Sequence, residues 1–140
     1  MPISHHIDRD QRLVIATPNG VMTDADIFGY QQEVWSQPGN AGYDELIDMT
    51  AVAEVEFFSV DRVAELADLS GSMDQPGSRS KLAIVATTDL HFGLARMYQA
   101  HREMAKPGTK TVHVFSSRAE ALEWLGVGNP APNSDAKKIG

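Results

Sequence analysis

The chain has 140 residues, of which 42% are apolar, a formal net charge of −7 and no cysteine. That length suits one domain able to bury roughly two-thirds of its unfolded surface, and the missing cysteine excludes a disulfide framework, a thiolate nucleophile and a Cys-type zinc site. The acidic balance, with no basic run longer than Lys137-Lys138, speaks against nucleic acid as a partner. Met1 to His6 lacks a basic stretch followed by an apolar run, and no apolar segment approaches the roughly 18 residues of a spanning helix, so membrane insertion is not expected and a cytoplasmic location is.

Ile3, His5 and Ile7 alternate with polar neighbours, Asp8 to Gln11 reads as a turn, and Leu13-Val14-Ile15-Ala16 follows, which together predict a β-hairpin. Thr17 to Gly20 closes its second strand. Thr23 and Asp26 resemble a capping box opening a helix that runs to about Ser36 and ends before Pro38-Gly39. Leu46-Ile47 predicts a short buried strand ending at Asp48-Met49-Thr50, after which Ser59 can cap a helix carrying Val63, Leu66 and Ala67. A polar loop from Gly71 to Ser80 leads into Leu82 to Ala86, whose continuous apolar character suits a strand covered on both faces. Thr87-Thr88-Asp89 opens a third helix with Leu90, Leu94, Met97, Tyr98 and His101 at helical spacing, stopped by Lys106-Pro107-Gly108. A strand Val112 to Phe115 precedes what reads as the clearest capping box, Ser117 with Glu120, and a last helix with Ala121, Leu122, Trp124 and Leu125. The predicted domain spans 1–126, and 127–140, lacking periodicity, reads as a disordered tail.

A hairpin followed by alternating α and β predicts an α/β fold with a five-stranded, mostly parallel sheet and about four helices, joined by right-handed crossovers. Ligands of open α/β sheets bind at the carboxyl ends of the strands, where Asn19, Asp48, Thr50, Thr87, Thr88, Asp89, Ser116 and Ser117 collect. Most of these side chains serve as helix caps; Asp48 and Thr50, several residues ahead of the next helix, are the spare groups.

The stretch Leu46-Ile47-Asp48-Met49-Thr50-Ala51-Val52, followed by Val55 and a helix starting near Ser59, resembles the central segment of the STAS domain, the fold of sulfate transporters and anti-sigma-factor antagonists typified by SpoIIAA. The closer resemblance is to the bacterial SpoIIAA-like proteins, also called STAS/SEC14, and it extends from about Ile3 to Gly126, including Phe92-Gly93-Leu94-Ala95-Arg96-Met97-Tyr98. It implies a regulatory or protein-interaction role. Regulatory STAS members carry Asp-Ser-x-Gly at the start of the second helix, with a phosphorylated Ser. The matching positions here are Glu56, Phe57, Phe58 and Ser59, so Phe57 stands at the acceptor position and cannot take a phosphoryl group. Ser59 is either a substitute acceptor or simply a helix cap.

Apolar Val55, Phe57 and Phe58 near Met49 replace the motif, and they read as core, as a pocket for an apolar ligand, or as a surface for another chain. On the first helix Ile27, Tyr30 and Val34 form one stripe, while Phe28 and Trp35 lie about 90° around the axis. One sheet face cannot cover so wide an arc, and Phe92 lies opposite Leu90 on the third helix, so Phe28, Trp35 and Phe92 are expected at an interface, most simply that of a homodimer.

Catalytic and metal constellations do not emerge. His5 and His6 alternate along a strand, His91 and His101 are about 15 Å apart along a helix, and the Gly-rich Gly71 to Lys81 lacks phosphate-loop spacing. Ser59, His101 and Asp48 form a triad on paper, but no G-x-S-x-G elbow accompanies them. No cofactor is expected. The expected function is a non-enzymatic regulatory or protein-interaction module without the usual phospho-acceptor serine; the alternative is a small-molecule or lipid carrier of the SEC14 type. The binding residues of either are Asp48, Thr50, Phe57, Phe58, Ser59, Thr87 and Arg96.

Overall fold

A computed structural model describes residues 3–104 and 109–128. The hairpin forms as expected: β1 (Ile3–Asp8) pairs antiparallel with β2 (Leu13–Pro18), register Ile7 to Val14. Then come β3 (Gly20–Thr23), α1 (Asp24–Trp35), β4 (Asp44–Asp48), β5 (Val52–Glu56), α2 (Val60–Ser72), β6 (Ser80–Val85), α3 (Asp89–Met104), β7 (Lys110–Phe115) and α4 (Arg118–Leu125). Five strands make one sheet in the order β1-β2-β4-β6-β7, parallel from β2 onward.

That order explains where the helices lie. Each new strand is added on the same side of the last, and right-handed crossovers then put every connecting helix on one face. The core shows it: Val14, Ala16, Leu82, Ile84 and Val112 meet Ile27, Tyr30 and Val34 of α1, Leu66 of α2 and Ala95 of α3. The alternate residues Leu13, Ile15, Leu46, Ala83 and Val85 face the other way and are closed by Ala121 and Leu125 of α4. Burying each large aliphatic contributes roughly 1.5–3 kcal/mol.

Not foreseen were β3 and β5, which form a separate two-stranded parallel sheet, Met22 opposite Val55. Gly20, at φ +63°, turns the chain out of β2 into β3. Each strand has only four or five residues, too short for its alternation to stand out from loop.

The helix starts are more varied than the motifs suggested. Thr23 and Asp26 make both halves of a capping box, with the Thr23 amide donating to Asp26 Oδ2 at 2.9 Å and the Asp26 amide to Thr23 Oγ1 at 3.2 Å. Ser117 accepts from the Glu120 amide at 3.3 Å without the reciprocal bond. Val127 and Gly128, placed in the tail by sequence, are held by bonds from their amides to Leu122 O at 3.2 Å and Gln11 Oε1 at 3.0 Å. The rest of the expected tail, 129–140, and the expected helix stop at Lys106 to Gly108 lie outside the described residues.

Two expectations about helix faces are corrected. Trp35 is buried, because Glu45 of β4 and Lys110 of β7 close over it: its Nε1 donates to Glu45 Oε2 at 3.1 Å, and Lys110 Nζ sits 3.5 Å from its ring centroid. Leu90, assigned by spacing to the core stripe of α3, is 75% exposed; His91, Ala95 and Arg102 face inward instead, and Phe92 is half-buried. The stripe misleads because the buried arc of α3 runs through His91, Ala95 and Arg102, roughly 100–140° round the helix axis from Leu90.

Candidate functional site

The carboxyl ends of β4, β6 and β7 share one edge of the sheet with the starts of α2, α3 and α4. Three side chains of this edge are spent on those starts. Ser59 Oγ accepts from the Arg62 amide at 3.1 Å, Thr88 Oγ1 from the His91 amide at 3.1 Å, and Ser117 as described. Each such cap stabilises by about 1 kcal/mol.

Asp48 ends β4 and is nearly buried. Its Oδ1 accepts from the amide and hydroxyl of Thr50, and its Oδ2 from Arg118 NH1 at 2.8 Å, reaching in from the first turn of α4. Burial pushes its pKa up, but the Thr50 and Arg118 bonds and the guanidinium charge outweigh that and hold the carboxyl below its ordinary value. Asp48 is therefore a clasp joining the β4–β5 turn to α4. The charge of Arg118 also reaches His6 of β1, whose pKa is lowered by burial first and by that charge second, while Asp8 opposes them.

Beyond β5 the chain does something costly. Phe57 adopts φ +65°, the left-handed region that costs a non-glycine residue roughly 1–2 kcal/mol, and the residue is 72% exposed. Val60, in the first turn of α2, is 59% exposed, and Leu90, in the first turn of α3, is 75% exposed. Glu54, Asp61 and Asp89 are exposed on the same three segments and Glu56 is half-buried. Arg62, the basic residue in the first turn of α2, is already paired with Asp24 at 2.7 Å and Glu65 at 3.0 Å and lies 4.0 Å from the centroid of the Phe28 ring. Each of these segments thus displays an apolar side chain close in sequence to a carboxylate.

Phe58 turns the other way. It lines an apolar cavity of about 70 Å³ between the sheet and α1, α2 and α3, together with Met22, Met49, Ile84 and Leu94.

The sequence-derived site residues are therefore divided. Asp48 and Thr50 are joined; Phe57 is at the surface, Phe58 on the cavity wall, and Ser59 is the α2 cap. Thr87 is exposed just before α3, and Arg96 is exposed midway along it, with no ion pair among the described residues. Phe28 is half-buried under Arg62, so of the three aromatics expected at an interface none is fully exposed. The paper triad does not assemble: Ser59 and Asp48 bond elsewhere, and His101 lies near the far end of α3. Among the described residues no three His, Asp or Glu side chains group as a metal site, and no helix is long and apolar enough to cross a membrane. Sequence reading missed Arg118, Val60 and Leu90; the position of Arg118 directly after the Ser117 cap, at the end of a parallel strand, was the available signal.

No protein-family model matches the chain, and no curated protein is significantly similar to it. Among solved structures it is similar to an uncharacterized protein of the DUF3478 family with a SpoIIAA-like fold from Shewanella loihica PV-4, with 16% identity and a TM-score of 0.57, covering 88% of this chain and 93% of that one. It also matches the anti-sigma factor antagonist SpoIIAA in its unphosphorylated form, at 9% identity and a TM-score of 0.49, over 89% of this chain and 97% of that one. With four α-helices on a mostly parallel five-stranded sheet among the described residues, the chain has a SpoIIAA-like α/β fold.

Proposed function

We propose that the chain is a non-enzymatic interaction module that docks a partner protein through Phe57, Val60 and Leu90. The observation that carries this reading is Phe57 itself: a large apolar ring held at a strained φ and displayed to solvent. The acidic surround of Glu54, Glu56, Asp61 and Asp89 selects the partner's chemistry, an apolar segment flanked by Lys or Arg. It also disfavours a second copy of this acidic chain, since a twofold contact would bring like charges together. The phospho-switch is not part of the proposal, because Phe57 occupies the acceptor position and Ser59 caps α2. The lipid-carrier alternative is not favoured: the cavity, at about 70 Å³, is well below the roughly 300–1,000 Å³ of ordinary ligand pockets.

Site-specific photo-crosslinking in the cell of origin tests this. A photoreactive residue at Val60 should give one discrete adduct whose linked segment carries apolar and basic side chains, and Leu90→Ser should abolish it with the circular dichroism unchanged. An adduct no stronger than from a control at exposed Thr111 on β7 would overturn the docking role. An adduct of the chain with itself would replace the partner by a homodimer.

A further inference from the structure

A second groove, of about 240 Å³, runs between the edge strand β1 and α1. Ile3 and His5 line it from the strand, and Asp26, Gly29 and Glu33 line it from the helix. Tyr30 also borders it, but the Tyr30 hydroxyl is spent on Glu45 at 2.6 Å, so it brings no free polar group.

Gly29 is the member that the fold does not call for. It is the sixth residue of the twelve in α1, where glycine is worse than alanine for helix stability. Crowding does not require it, since a Cβ there would meet no heavy atom within 4 Å, and its φ is not positive. What the missing side chain does is leave the middle of the groove open. The charges lie on either side of that opening. Asp26 and Glu33 are seven positions apart on α1, about 10.5 Å along the axis and only about 20° around it, with Gly29 between them. Asp26 Oδ2 accepts from the Thr23 amide, yet neither carboxylate has an ion pair among the described residues. No Lys or Arg lines the groove.

We infer that this groove binds a linear aliphatic diamine, with its methylenes over Gly29 beside Ile3 and one ammonium group at each of Asp26 and Glu33. The charge follows from the walls: two carboxylates on a chain of net charge −7 attract a cation and repel an anion. The size follows from the volume, which exceeds the roughly 150 Å³ that takes benzene and falls short of the roughly 300 Å³ of a drug-sized pocket. The length follows from the spacing, because carboxylates two helical turns apart need a spacer of several methylenes to be met by one molecule. This site is separate from the docking reading and shares no residue with the Phe57 edge.

Pentane-1,5-diamine, with pentan-1-amine as the single-charge control, tests the inference on the full chain. Amide NMR should show both amines shifting His5, Gly29 and Glu33, with the diamine bound about ten-fold more tightly, the lower end for one hydrogen bond to a charged group. Glu33→Gln should bring the diamine down to the affinity of the monoamine. Glu103→Gln, which removes an exposed carboxylate from α3, should leave diamine binding unchanged. Gly29→Leu should raise the Tm, since leucine is the better helix former, while abolishing binding by filling the groove. Absence of shifts at the groove, a diamine no tighter than the monoamine, equal losses in Glu33→Gln and Glu103→Gln, or full binding by Gly29→Leu would each overturn the inference. None of these outcomes bears on crosslinking from Val60.

Discussion

At Phe57 and Asp48 the chain makes opposite trades. Phe57 gives up backbone energy at φ +65° for an exposed ring, so Phe57→Gly should relieve the strain while losing little burial. The expected gain is about 0.5–1 kcal/mol in urea unfolding, together with loss of the Val60 crosslink. A destabilised glycine variant would show that the ring is structural. Asp48 spends its oxygens on Thr50 and Arg118, and Asp48→Asn keeps the shape but loses the charge. The Arg118 side chain is 40% exposed, so solvent screens the pair and the expected cost at pH 7 is about 1 kcal/mol. Because the folded pKa of Asp48 is depressed, its contribution is present above the unfolded value of about 3.9 and is lost as pH falls through the folded value. The stability gap between the parent chain and the Asp48→Asn variant should accordingly close in acid; a gap that stays constant would assign the cost to geometry instead of charge. The pattern of residues showed Asp48 at the right edge but as a spare group. Its partner Arg118 lies seventy positions away, and nothing local records that bond.

Elements were readable wherever one face of a repeating pattern met the core. The hairpin, β4, β6, β7 and the helix starts at Thr23, Ser59 and Ser117 all lie where periodicity and capping chemistry predict them, because those signals depend on neighbours within four residues. The β3–β5 ribbon was not readable, since neither strand is stable alone and each exists only by pairing with the other across some thirty residues. Helix faces were readable in the middle of α2, where Val63, Leu66 and Ala67 are buried as their spacing requires. They were misread at Leu90, which lies roughly 100–140° round the axis of α3 from its buried residues His91, Ala95 and Arg102.

Across the whole molecule the amino end of the sheet carries a buried ionic cluster that ties distant segments together. Glu45 and Lys110 are 4% and 7% exposed in their side chains, and with Tyr30 and Trp35 they join β4, β7 and α1. Lys110→Met would leave the Glu45 carboxylate buried without its counter-charge, a change expected to cost about 3–5 kcal/mol. Urea unfolding of that variant checks it, and a loss below about 1 kcal/mol would mean that water reaches Glu45. The same cluster explains why Trp35 looked like an interface residue: its cover comes from β4 and β7, not from its own helix. Composition, spacing and caps were enough to settle the α/β class, the order of the helices and of the five main-sheet strands, and the mostly parallel sheet, because hydrophobic burial and helix ends act through short-range pattern. Which apolar side chains stay in water and which carboxylates are paired depend on chain crossings between remote segments, and for those three-dimensional packing was the deciding term.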